Sequence, residues 1–331
     1  MKRKAVSLLI AIVAAGMTTF GQERDVNKIL AEARAALGGD KKLAAVKTFA
    51  ATGLSTRVVN DQSTPPTDAE LAFELPGKFM TKTVLTMLGT FAITRTSGFD
   101  GDAIINVIDQ PPSVGGNVVV MYRTGPGGPG EVVTSEQQEA ARKAQLLANR
   151  QEFARLTLGI LLASPQAYPL NFAYAGQAES PDGKADIVDV TGEGGFAARL
   201  FIDAATHLPL MLSWMAKEPL VINQMVRSGP GGTAISHSGG AGAAVQAEGS
   251  KQLTQEDRDK LMKQLEEQRK ELEAKRRTVE FRLYYGDYRE VDGIKVPFKL
   301  QRSMDGKPTE ELALENVKVN GKIDSGKFDV K

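Results

Sequence analysis

Few residues in this chain could do covalent or acid–base chemistry. It has no cysteine and two histidines, His207 and His237. The missing thiols rule out disulfides, thiolate metal sites and a cysteine nucleophile. His207 falls in the turn sequence Asp203-Ala204-Ala205-Thr206-His207-Leu208-Pro209, where a surface position is expected. His237 falls in a glycine-, alanine- and serine-rich stretch that offers no fixed geometry. Neither belongs to a His-Glu-x-x-His pair, and no Gly-x-Ser-x-Gly elbow or Asp-x-Asp-x-Asp-Gly loop occurs. The glycine-rich runs at 125–130 and 229–232 lack the Lys-Ser/Thr of a phosphate loop, and their prolines remove amide donors. The acidic pairs Glu266-Glu267 and Glu310-Glu311 read as solvated faces. No catalytic residue, metal ligand or cofactor is therefore assigned.

The other chemistry open to the chain is apolar binding, and that depends on how its elements enclose space. Val26, Ile29, Leu30, Ala33 and Leu37 make one stripe of a helix, stopped by Gly38-Gly39. Asp40 is placed to cap a short second helix through Val46. From Lys47 the period becomes two. Leu71, Phe73 and Leu75 alternate with acids, and short strands follow at 79–85, 91–96, 104–108 and 118–122, separated by glycine turns. Close connections of this kind favour antiparallel pairing. A long helix is expected from Ser135, with Gln138 completing a capping box, to Ser164-Pro165. Its end, Phe153 to Leu162, is strongly apolar, so it is expected to be buried or to face a ligand.

Strands resume at 170–175, 186–191 and 196–202, and at 208–216, where Leu208, Leu210, Leu212 and Trp214 are expected on one face. Residues 228–250 hold few large apolar side chains and are expected to be disordered. Thr254 to Arg277 reads as a charged helix. Val279–Tyr285 and Ile294–Leu300 alternate cleanly around the hairpin signal Val291-Asp292-Gly293. Pro297 suits a sheet edge or a bulge. Residues 228–278 are thus an insertion, a glycine-rich loop plus a charged helix, between two strands expected to be neighbours.

Three local signatures carry a resemblance. They are Leu37-Gly38-Gly39 leading to Leu43-Ala44-Ala45-Val46-Lys47, then Ile202 to Pro209, then Tyr288-Arg289-Glu290-Val291-Asp292-Gly293-Ile294-Lys295-Val296-Pro297-Phe298. Together with the element order, they resemble the outer-membrane lipoprotein-sorting (LolA-like) superfamily of periplasmic proteins. The resemblance runs from about Asp25 to Phe328 and departs at the 228–278 insertion. It implies an α+β fold, a strongly curved antiparallel sheet forming an incomplete, half-open β-barrel, with helices covering its concave side. It also implies an apolar cavity that holds acyl chains. Phe73, Phe79, Phe91, Phe153, Leu161, Leu210, Leu212 and Trp214 are the lining candidates. Each would serve as ordinary core too, which is the commoner fate of such side chains.

The first residues set the location. Lys2, Arg3 and Lys4 precede an apolar run from Ala5 to Gly16, and Thr19-Phe20-Gly21 offers small residues at a cleavage site. This is the layout of a signal peptide over residues 1–21, too short for a bilayer span. A single domain over 22–331, interrupted by the insertion, is expected in the periplasm. Cleavage would take the formal charge from +1 to −2, which gives no reason to expect nucleic acid. The expected function is a soluble periplasmic carrier for a lipid, an acyl chain or another apolar ligand, without catalysis or cofactor. A structural or sensing module that binds an envelope protein through 228–278 is the alternative, and an envelope hydrolase a third.

Overall fold

The computed structural model describes residues 25–329 with gaps at 60, 88–90, 110–116, 120–134, 164, 166–167, 182, 220–223, 230–231, 238–266 and 268–269. The side chains of residues 85–87, 91–92, 117–119, 224–229 and 232–237 also lie outside the description. The expected signal peptide falls wholly outside it.

Two short helices open the fold. In α1 (Val26–Leu37) the Asp25 carboxylate accepts from the Asn27 amide, Ile29, Leu30, Ala33 and Leu37 are buried, and Gly38 ends the helix at φ 132°. Helix α2 (Asp40–Ala44) is capped by Gly39 without a side-chain bond, so Asp40 lies inside its first turn rather than at its cap. The strands β1 (Thr48–Val59), β2 (Gln62–Ser63), β3 (Thr67–Glu74), β4 (Lys78–Met87), β5 (Phe91–Asp100), β6 (Ala103–Asp109) and β7 (Asn117–Val119) follow. Helix α3 (Ser135–Leu161) leads to β8 (Leu170–Ser180), β9 (Gly183–Gly192), β10 (Phe196–Asp203) and β11 (Pro209–Lys217). The chain continues through β12 (Gln224–Gly229), β13 (Gly232–His237), β14 (Thr278–Val291), β15 (Ile294–Met304) and β16 (Lys307–Val319).

The main sheet is antiparallel and runs β6-β5-β4-β3-β1-β16-β15-β14-β11-β10-β9-β8, with β2 paired to β1. Its end strands β6 and β8 are not paired to each other, so it is not closed. The curvature follows from α3. That helix touches β5, β6, β11 and β15. In a flat sheet β5 and β11 lie seven strand spacings apart, on the order of 34 Å at ~4.8 Å each. Phe153 meets Phe99 of β5 while Arg155, two residues on, sits over Trp214 of β11, so a helix ~10 Å across reaches both strands at one level only because the sheet curls around it. The chain is therefore α+β, a curved, half-open antiparallel barrel with α1 and α3 on its concave side.

The main core fills this concavity. The last three turns of α3 are buried on nearly every side, from Phe153 through Leu162, whereas its first turns are exposed. A helix end apolar all round must be enclosed. The hairpin signal at Asp292-Gly293 is realised, with Val291 opposite Ile294 and φ of 51° and 80° at the two turn residues. Trp214 on β11 pairs with Phe281 on β14, so the strands flanking the insertion are neighbours as expected. Pro297 lies on an interior strand, but pairing of β15 with β16 begins at Lys299, so Pro297 is laddered on the β14 side only.

Two expectations need correction. Leu210 does not share a face with Leu212 and Trp214. Phe201 pairs with Met211 and Ile202 with Pro209, so Leu210 is the extra residue of a bulge. It packs with Phe201, Met211 and Ala185 on the opposite face from Leu212. Second, residues 232–237 are not an unstructured loop. They form β13, which pairs with β12, and β12 pairs with β7 in a separate three-stranded sheet. Gly229 and Gly232 form the last pair of that ladder. Within the charged segment 254–277, residues 254–266 lie outside the description and 270–275 are helical.

Candidate functional site

Helix α3 divides the interior into two regions of different chemistry. On one side its last turns face α2 and the β3–β4 turn. There Leu43, Ala44, Val46, Leu75, Pro76, Thr157, Leu161, Ala163 and Pro165 line a cleft of ≈ 380 Å³. This volume lies within the ~300–1,000 Å³ typical of small-molecule pockets. The lining carries no ionisable side chain. Thr157, its one hydroxyl, donates to the Phe153 and Ala154 carbonyls at 3.0 and 3.1 Å, so its hydrogen is used within the helix. With no ionisable side chain on offer, burial of apolar surface would be the main hold on a ligand here.

Behind the cleft the space is filled by rings. Phe153 projects from α3 into a cage of Phe73, Phe79 and Phe99, with centroids 5.4, 5.0 and 5.8 Å away. Phe49 stacks on Phe73 at 5.0 Å. All five are essentially inaccessible. Edge-on and offset contacts at such distances add ~0.5–1.5 kcal/mol per pair beyond burial.

The helix is fastened to the sheet by two tyrosines of β14. Tyr285 donates to the Arg155 carbonyl at 2.6 Å, and Tyr288 donates to the Gly159 and Pro209 carbonyls at 3.2 and 2.9 Å. Burial pushes both phenols above their ordinary pKa. Gly159 makes the approach possible, because a Cβ there would lie 2.1 Å from the Tyr285 ring.

The other side of α3 is charged. Arg57 and Glu310 pair at 3.5 Å, Glu310 and Arg302 at 3.5 Å, Arg302 bonds to Glu152, and Glu152 and Arg155 lie 3.6 Å apart. Burial opposes ionisation of Glu152, but Arg302 and Arg155 overcome it and hold the carboxyl below the usual range. Arg155 is displaced downward, first by burial, with Glu152 opposing and Arg302 adding to the fall. Its guanidinium sits over Trp214 at 4.5 Å and over Phe196 at 5.3 Å, and Trp214 stacks on Phe281 at 5.7 Å.

The lining candidates are thus distributed over several environments. Leu161 lines the cleft. Phe73, Phe79 and Phe153 form the aromatic cage behind it, and Leu212 is fully buried in the same core. Trp214 is half-buried across α3, against Arg155. Leu210 faces away. Phe91 lies on β5 with its side chain outside the description. Sequence reasoning missed Glu152, Arg155 and Arg302. A signal was present, because Arg155 interrupts an otherwise apolar helix end, and an interior charge needs a partner. Among the described residues, no group of three His, Asp or Glu is placed to hold a metal ion, and no helix is long and apolar enough to cross a membrane.

No family model matches the sequence, and no curated protein matches it. Solved structures do. A LolA superfamily protein from Nitrosomonas europaea aligns over 92% of this chain and 98% of its own, at 9% identity and a TM-score of 0.42. A structure titled an outer-membrane lipoprotein-sorting protein domain, from Vibrio parahaemolyticus, aligns over 91% and 95%, at 9% identity and a TM-score of 0.38. A DUF1329 family protein from Desulfovibrio piger aligns over 92% and 97%, at 7% identity and a TM-score of 0.36.

Proposed function

We propose that this protein is a carrier of apolar ligands in the cell envelope, exported by its N-terminal leader and binding an acyl or similar chain between α3 and the curved sheet. The observation that supports this most directly is the cleft of ≈ 380 Å³ whose lining side chains are apolar but for Thr157 and carry no ionisable group. Around it, the aromatic cage and the two tyrosine clasps keep the walls in place, so little ordering cost falls on binding. Burial at ~0.8 kcal/mol per methylene puts micromolar affinity at about ten buried methylenes. The function needs no cofactor and no chemical step.

The test is native mass spectrometry of the purified protein with monoolein, a neutral single-chain lipid. One bound molecule per chain is expected. Ala163→Phe places a ring in the cleft from a half-buried position and should weaken binding by about tenfold or more, the scale of one large apolar side chain's burial. No saturable binding by the wild type would refute the carrier reading. Unchanged affinity in Ala163→Phe would refute the cleft as its site.

A further inference from the structure

The rim of the cleft beside α3 carries an excess of positive charge. Ala44 and Pro76 of its lining are exposed, whereas Leu43, Val46 and Leu161 are buried, so the cleft opens between α2 and the β3–β4 turn. The segments 34–47 and 74–78 that frame this opening hold Arg34, Lys41, Lys42, Lys47 and Lys78 against Asp40 and Glu74. Both acids are engaged, Asp40 with Arg34 at 3.8 Å and Glu74 with Lys78 at 3.8 Å. Lys41, Lys42 and Lys47 are exposed and enter no ion pair among the described residues. Lys41 lies three residues before Ala44, on the same side of α2. Lys47 follows Val46, and its carbonyl accepts from the Leu75 amide at 2.8 Å, so it stands where α2 meets the β3–β4 turn. Lys42 donates to the Gly293 carbonyl at 3.1 Å in the β14–β15 turn. That turn adds Asp292, while Glu290 faces Lys295 across the ladder. Three lysines thus surround an exposed apolar tip made by Ala44, Ala45 and Pro76. Exposed apolar surface and cationic side chains on one face are the two contributions that hold a protein at a lipid interface.

We propose that this rim docks on an anionic lipid bilayer, with Ala44, Ala45 and Pro76 against the interface and Lys41, Lys42 and Lys47 among the headgroups. The docking extends the carrier reading, because an alkyl chain leaving the bilayer then enters the cleft without crossing water. It needs no ligand in the cleft, so it can be measured apart from carriage. The apolar tip is small, so charge supplies most of the hold. Each lysine at an anionic surface contributes about fivefold in affinity, and salt screens the attraction.

The experiment sediments the purified protein with vesicles of phosphatidylglycerol and phosphatidylcholine in equal parts, and with vesicles of phosphatidylcholine alone. Attachment to the first, weakened by added sodium chloride, and little attachment to the second are expected. Lys41→Gln with Lys47→Gln should weaken attachment about twentyfold, at fivefold for each lysine. Lys217→Gln with Lys307→Gln removes the same charge at the opposite end of the sheet, where Lys217 faces Thr278 at the start of β14 and Lys307 lies 4.0 Å from Asp61 beyond the end of β1. That variant should attach as the wild type does. All four lysines are exposed, and far-ultraviolet circular dichroism checks that both variants are folded. Equal attachment to the two kinds of vesicle, or equal losses in the two double variants, overturns the proposal. Release by inorganic phosphate, where sodium chloride of the same ionic strength releases nothing, would show a site for a free small anion and overturn the bilayer. Monoolein binding by a protein that does not attach overturns the docking and leaves the carrier reading standing. Attachment without monoolein binding does the reverse.

Discussion

A single methyl group on α3 tests how tightly that helix is clasped. Gly159 lies inside the helix, where alanine ordinarily stabilises by ~1 kcal/mol. Here the new Cβ would lie 2.1 Å from Tyr285 Cε1, 2.3 Å from Cδ1 and 2.5 Å from Cζ. Ordinary contact needs more than 3.4 Å, so the ring must retreat by over an ångström. It has no room to do so. Tyr285 is 4% exposed and its hydroxyl bonds the Arg155 carbonyl. Overpacking of this kind costs ~1–3 kcal/mol, and orphaning a buried hydroxyl and carbonyl costs ~1–3 kcal/mol more. Against the gain in helix propensity, Gly159→Ala should destabilise by about 1–5 kcal/mol. Urea unfolding followed by far-ultraviolet circular dichroism measures it. The same substitution in a Tyr285→Ala background, with the ring gone, should be neutral or stabilising. If Gly159→Ala raises stability by about 1 kcal/mol in the native background, as propensity alone predicts, then α3 is not clasped by Tyr285 and the fixed-wall account fails.

The aromatic cage and the ion-pair chain give two further predictions. Phe153→Ala empties the centre of a four-ring cluster and should cost ~3–5 kcal/mol in urea unfolding; a loss below 1 kcal/mol would show that the cage collapses freely. Glu152→Gln leaves Arg155 and Arg302 short of an acid. The cost should be about 1–3 kcal/mol, below the ~3–5 of a fully buried pair, because Glu152 keeps 30% exposure. Its pH dependence has a fixed sign. The Glu152 carboxyl is held below its ordinary range when folded, so its contribution is fully present above the unfolded pKa of about 4.3 and is lost as pH falls through the folded value. The stability difference between wild type and Glu152→Gln should therefore shrink on acidification below that point, and a difference that grows would contradict the assignment.

Much of the architecture was legible because it rests on local rules. The stripe of α1, the alternation after Lys47 and Val279, and the Asp292-Gly293 hairpin are fixed by residues adjacent in sequence, and the structure realises them. The adjacency of β11 and β14 was also readable, because the strand pattern resumes across the insertion. The bulge at Leu210 was not, because it arises from the register of β11 against β10, a relation between distant residues. Alternation through Leu208, Leu210, Leu212 and Trp214 looked continuous, and one extra residue reversed the face of Leu210. The candidate site divides in the same way. Leu161 was reachable from the apolar helix end. Leu43, Val46, Leu75 and Pro76 were not, since their convergence depends on how the sheet curls. The cage shows the limit of reading aromatic residues as lining, because Phe73, Phe79 and Phe153 contact one another instead.

The central claim is that an alkyl chain occupies the cleft beside α3. Affinities for a series of primary alcohols, octanol to tetradecanol, test it most directly. At ~0.8 kcal/mol per buried methylene, each added carbon should tighten binding about fourfold until the cleft is full, after which affinity should level off. Ala163→Phe should shift that plateau to shorter chains. Affinity that does not depend on chain length, or a series that Ala163→Phe leaves unchanged, would contradict the account.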